Sequence, residues 1–152
     1  MSYECEVKEQ PVQPVLSIRT RSSVEDLPKV LGESYCAIAD YLRELGEKAV
    51  GPPFAAYYNL DLQDLDVEIG FPVANKFPSE GDIGAGEIPA GEVATYMYTG
   101  PYNEMEPVYA ALSQWMEDKG YEPTGVVYEM YWDDPNNAPL EKCRTTIMFL
   151  LK

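Results

Sequence analysis

The 152-residue chain carries 26 acidic against 11 basic residues and no histidine, a formal net charge of -15, with 45% hydrophobic and 24% charged residues. This is globular and not disordered composition, and its negative field argues against direct nucleic-acid binding, which rests on Lys and Arg. Cys5, Cys36 and Cys143 form no CxxC pair; an odd count without histidine argues against a disulfide framework or a zinc site, and for a cytoplasmic protein.

In chain order, strands are expected at Tyr3 to Glu9 and Val12 to Thr20, rich in Val, Ile and Tyr. Ser22 and Glu25 have capping-box spacing, and Leu27, Leu31, Tyr35, Ile38, Leu42 and Leu45 then recur at helical spacing as far as Gly46. Two strands, Phe54 to Leu60 and Asp66 to Val73, follow Gly51-Pro52-Pro53, and Ala74 to Gly86 reads as a linker. The order then repeats with a strand at Glu92 to Thr99 and a helix capped by Asn103. That helix has Glu104 and Glu106 in its first turn and the apolar stripe Met105, Val108, Leu112, Trp115 and Met116. Strands at Thr124 to Trp132 and Cys143 to Leu151 flank a polar turn from Asp133 to Pro139. The N-terminus has no leader pattern and no run of about 18 apolar residues occurs, so neither export nor membrane insertion is indicated.

The repetition extends to residues. Gly46, Gly51, Tyr57 and Tyr58 align with Gly120, Gly125, Tyr131 and Trp132 at an offset of 74, and Ile69 and Phe71 align with Ile147 and Phe149 at 78. The expected architecture is α+β: one domain over 1–152 made of two strand-helix-strand-strand units, with halves at about 12–73 and 92–152. Helices would cover one face of an antiparallel sheet, leaving the other face for a ligand cleft between the halves.

Chemistry concentrates on the strand from Gly125 to Trp132. Alternation puts Glu129 on the face of Tyr131, with Tyr128, Met130 and Trp132 opposite. The counterpart of Glu129 in the first half is Ala55, so the repeat itself does not require an acid there. Tyr57, Tyr98 and Tyr102 add rings, and Glu68 is a second strand carboxylate. An acid among aromatic rings suits a flat organic cation, each desolvated ring adding about 0.5–2 kcal/mol. Ordinary cross-strand packing explains many of the rings equally well. The Walker A, GxGxxG and GxSxG motifs are absent, and without histidine there is no Ser-His or Cys-His dyad. A hydrolase would have to use Glu and Tyr, with a carboxyl pKa raised by desolvation.

Five segments in order resemble the GyrI-like family, the effector-binding domain of AraC-type and multidrug-responsive activators. They are Gly51 to Tyr58, Asp66 to Val73, Ile88 to Gly91, Thr99 to Tyr102 and Tyr128 to Pro135. The resemblance covers nearly the whole chain, in a form that shows no helix-turn-helix segment. It implies that lipophilic, often cationic, small molecules bind at Glu129, flanked by Tyr131, with Tyr98 and Tyr102 at the aromatic edge. Tyr98 stands where the family often has histidine. Non-enzymatic sensing or sequestration is the favoured reading, with no cofactor and no membrane or nucleic-acid partner. The alternatives are a Glu129-dependent hydrolase of strained, cyclopropane-bearing electrophiles, as in some stand-alone members, and a protein-interaction modulator such as a DNA gyrase inhibitor.

Overall fold

The computed structural model describes residues 5–59, 61–101, 104–133 and 139–152. Its strands are β1 (Glu6–Gln10), β2 (Gln13–Ser22), β3 (Phe54–Tyr57), β4 (Leu65–Pro72), β5 (Gly84–Ile88), β6 (Gly91–Thr99), β7 (Pro123–Tyr131) and β8 (Arg144–Leu151). The helices are α1 (Leu27–Leu45) and α2 (Glu106–Lys119), and a 3-10 turn lies at Leu140–Lys142. The fold is α+β with antiparallel strand pairing.

Two compact units divide the chain: a first, Pro11–Ala90, and a second, Met1–Gln10 with Gly91–Lys152. In the first unit the strands run β3-β4-β2-β5, and in the second β7-β8-β6-β1. Each unit is therefore four antiparallel strands and one helix, in the same spatial order. The duplication read from the residues is a duplication of structure, but each unit also has an edge strand that the expected halves omit. β1 pairs with β6 through Glu6↔Thr95 to Gln10↔Gly91, and β5 pairs with β2 through Gln13↔Ile88 to Ser17↔Gly84.

The expected linker over Ala74 to Gly86 thus contains the start of a strand. Gly84-Ala85-Gly86 has poor strand propensity, and what makes it a strand is the open edge of β2, which supplies backbone partners. The capping box does not form either. Ser22 is the last residue of β2, opposite Leu65, and its hydroxyl donates to the Ser23 carbonyl. The helix begins five residues later, with Asp26 at the N-cap making no side-chain cap bond and proline in the first turn. Pro28 fits there because the first helical N–H groups have no intrahelical partner to lose.

In the second helix the N-cap position falls on Met105, again followed by proline. Asn103, expected as the cap, lies outside the described residues, as do Tyr3, Leu60, Tyr102 and 134–138 of the polar turn. Both helices close on glycine with positive φ, 71° at Gly46 and 80° at Gly120. A side chain would be strained in that left-handed conformation.

The helix stripes pack as their spacing implies. In the first unit Ile38, Tyr41 and Leu42 of α1 meet Leu16, Val73 and Ile83. In the second, Val108, Leu112 and Met116 of α2 meet Ala94, Ile147 and Phe149. Among the described residues no helix is long and apolar enough to cross a membrane.

Candidate functional site

The register places Glu129 before any functional argument does. On β7 it lies opposite Ile147, and Tyr131 lies opposite Thr145. Directly opposed residues share a sheet face, and Ile147 belongs to the core under α2. Glu129 is therefore on the helix-covered face of its unit, not on the open face where the sequence argument put the site. The reason is Tyr109 of α2. Its hydroxyl donates to Glu129 Oε2, while the Tyr131 hydroxyl donates to Oε1 at 2.8 Å.

Both carboxylate oxygens thus face phenols in a largely apolar setting. Burial pushes the Glu129 carboxyl above the usual carboxylate range, and the bonds from Tyr109 and Tyr131 pull it only partly back. No Lys or Arg contributes to its electrostatics, and no ion pair among the described residues includes it. Tyr109, Glu129 and Tyr131 each keep some exposed surface. The residue keeps some exposed surface, but its carboxyl is desolvated and has no Lys or Arg counter-charge.

Two further residues border it. Tyr98 on β6 is buried and faces the same core, but its hydroxyl is engaged in the adjacent turn, donating to the Pro101 carbonyl at 2.7 Å. Gly100, with φ 147°, makes room for it: a Cβ there would sit 2.8 Å from the Tyr98 hydroxyl oxygen. Thr145 lies between Tyr98 and Tyr131 in the ladder, opposite both. It is 0% exposed, and its Oγ1 is a buried polar atom with no hydrogen-bond partner.

The first unit repeats this frame without the charge. Tyr35, Ala55 and Tyr57 stand 74 residues before Tyr109, Glu129 and Tyr131, and Val67 and Phe71 stand 78 before Thr145 and Phe149. The pairings agree, Ala55↔Ile69 and Tyr57↔Val67 matching Glu129↔Ile147 and Tyr131↔Thr145. Even the ring geometry is kept. Tyr35 meets Phe71 edge-on at 5.4 Å and 66°, and Tyr109 meets Phe149 at 5.8 Å and 81°. With no acid to reach, the Tyr35 hydroxyl donates to the Phe54 carbonyl at 2.9 Å.

Glu68 lies elsewhere. It pairs with Arg19 on β2 and Ala56 on β3, on the face of the first unit turned away from α1. Ser17 and Tyr58 donate to its two oxygens at 2.6 and 2.5 Å. The Arg19 guanidinium sits 3.7 Å over the Tyr58 ring and forks onto Asp66 at 2.6 and 2.8 Å. Arg19 holds the Asp66 carboxyl below the usual range, chiefly through that hydrogen bond. Here the chain supplies its own cation. Tyr57, named with Glu68 as a candidate, alternates to the helix face, and it is Tyr58 that reaches the acid.

The structure thus brings Glu129 and Tyr131 together, places Tyr98 one strand beyond Thr145, and puts Tyr57 and Glu68 in the other unit. Tyr102 lies outside the described residues. The residues that sequence reasoning missed are Tyr109 and Thr145. Tyr109 had a signal, standing four residues after Met105 and three before Leu112 on the flank of the apolar stripe. Thr145 had none, since threonine is an ordinary strand residue. No group of three or more Cys, Asp or Glu among the described residues is placed to hold a metal.

The family model of the GyrI-like small molecule binding domain matches residues 3–152. Among solved structures the chain is similar to the C-terminal domain of EcmrR, with 26% identity and a TM-score of 0.83, covering 100% of this chain and 99% of that one. It spans only 58% of the EcmrR chain seen in an EcmrR–DNA complex, at 27% identity and a TM-score of 0.86. Two more distant structures share the fold. One is a hydrolase from Listeria innocua, with 19% identity, coverage of 99% and 93%, and a TM-score of 0.72. The other is SAV2435 bound to tetraphenylphosphonium, with 13% identity, coverage of 98% and 94%, and a TM-score of 0.67. No curated protein matches the sequence. A family match over nearly every residue, on a duplicated frame that agrees strand by strand, makes this chain a member of the GyrI-like small molecule binding domain family.

Proposed function

We propose that the chain binds lipophilic organic cations at Glu129, as a sensor or sequestering protein. The observation that carries this reading is the acid without a counter-charge: a desolvated carboxyl held by Tyr109 and Tyr131 with no basic side chain beside it. A buried charge is costly unless paired, and a bound cation supplies the pair. The phenol rings offer it π faces, and apolar substituents fit the surroundings of Phe149 and Tyr98. SAV2435, with the same fold, is a protein bound to tetraphenylphosphonium. Coupling to transcription would need a DNA-binding partner or segment, given how much of EcmrR this chain leaves unmatched.

The test is a fluorescence titration of rhodamine 6G into the wild type and Glu129→Gln. Glutamine keeps an acceptor for one phenol and removes the charge. Affinity should fall about tenfold to a hundredfold, the scale of a lost charge-assisted contact of about 1–3 kcal/mol. Equal affinity in both proteins, or no saturable binding to the wild type, defeats the proposal.

One observation favours a second reading, hydrolysis with Glu129 as the proton-transfer group. A carboxyl held above the usual carboxylate range by burial and bonded to phenols is suited to general acid–base work. The same variant separates the two, because a hydrolase would lose turnover with Glu129→Gln while retaining ligand.

A further inference from the structure

Thr145 poses a question that packing does not answer. Its neighbours across both ladders, Tyr98 and Tyr131, have hydroxyls whose protons go elsewhere, to the Pro101 carbonyl and to Glu129. Its own hydroxyl is fully buried and has no partner. An unsatisfied buried hydroxyl costs more than the methyl that could replace it. The protein itself contains the cheaper solution. At the equivalent position of the first unit, opposite Tyr57, stands Val67, the same shape without the oxygen and also 0% exposed. Two differences between these frames are thus a carboxylate for a methyl at Glu129 and Ala55, and a hydroxyl for a methyl at Thr145 and Val67; a third lies across the other ladder, where Tyr98 stands opposite Thr145 but Thr20 stands opposite Val67. The first two each add a polar group to the second unit. They stand on adjacent strands, diagonal across the Tyr131 to Thr145 pair.

We propose that Thr145 is a ligand-binding residue, the hydrogen-bonding anchor beside Glu129. The natural ligand is then a lipophilic cation that also carries a hydroxyl or carbonyl group at a fixed distance from its charge. This rests on the cation reading of Glu129 and adds the second recognition element. The cation meets the carboxylate and the rings, and the polar substituent meets the hydroxyl that the chain leaves without a partner. Threonine Oγ1 both donates and accepts, so hydroxyl and carbonyl substituents are equally served.

A matched pair of probes tests it: tetraphenylphosphonium, and (4-hydroxyphenyl)triphenylphosphonium, which adds one hydroxyl at unchanged charge. The wild type should bind the hydroxylated probe about tenfold more tightly than its parent, the gain expected when a buried unsatisfied group is paired. Thr145→Val should erase that preference, and Thr145→Ser should restore it. The valine variant should also be at least as stable as the wild type in urea, which confirms that it folds. A preference of the same size in wild type and Thr145→Val, or none in the wild type, overturns the assignment. If tetraphenylphosphonium itself fails to bind the wild type, the cation reading fails and takes this inference with it. Binding of the parent with an unaltered ratio sinks Thr145 alone.

Discussion

The two units answer the same problem, an acid among tyrosines, in opposite ways. In the first, Glu68 and Asp66 sit on the face away from the helix, with Ser17 and Tyr58 donating and Arg19 stacked on the Tyr58 ring. In the second, Glu129 lies under α2 with two phenols and no cation. Both clusters set an acid among tyrosines, but only in the first is an arginine of the chain placed within it. An aromatic–acidic cluster is thus evidence of binding only after the chain's own Lys and Arg have been located.

The scaffold under that comparison can be broken first. Ile69 and Ile147 are equivalent, both 0% exposed and both beneath a helix. Ile69→Ala and Ile147→Ala should each lower stability by about 2–5 kcal/mol in urea unfolding, and a large inequality would show that the two frames are not equally packed. A smaller effect separates the acids by pH. Because burial raises the native pKa of Glu129 above its ordinary 4.5, the folded state holds this proton more tightly than the unfolded chain. Its contribution to stability is therefore full below about 4.5 and is lost as pH rises through the raised value. Relative to wild type, Glu129→Gln should gain stability with rising pH over that window and then level off. A difference that does not vary with pH would place the carboxyl in ordinary solvent.

The smallest effect belongs to the first unit. The Arg19 side chain is 52% exposed, so its ion pair with Asp66 is screened. Arg19→Ser should cost about 0–1 kcal/mol in urea, less at high salt, and leave rhodamine 6G affinity at Glu129 unchanged.

Much of this was legible beforehand for reasons particular to each element. α2 and β7 were readable because Val108, Leu112 and Met116 keep helical spacing and Val127, Glu129 and Tyr131 keep strand alternation, both consequences of burial on one side. β5 was not, because Gly84 and Gly86 carry no strand preference and their conformation comes from β2. Ser22 and Glu25 matched a local pattern that lost to the ladder of β2 and β4, where Ser22 already had a place. In the site, Glu129 and Tyr131 could be assigned a common face by alternation within one strand. Tyr109 reaches the acid only through the packing of α2 on the sheet, a tertiary fact. The standing of Glu68 turned on Arg19, 49 residues earlier in the sequence, which alternation within its own strand could not bring into view.

The pairing of β1 with β6 has a consequence for how the protein is made. Pro11–Ala90 is one uninterrupted stretch of chain, and all four of its strands and its helix are present once that stretch has left the ribosome. The strand that opens the sequence must wait, since Glu6 meets its partner Thr95 only after 89 more residues are synthesised. Domains close as their segments emerge, so the half in which Arg19 meets Asp66 forms first and the half that holds Glu129 is assembled last. Until then β1 is an unpaired edge, and the interval between Glu6 and Thr95 is when a chaperone or a second nascent chain would find it.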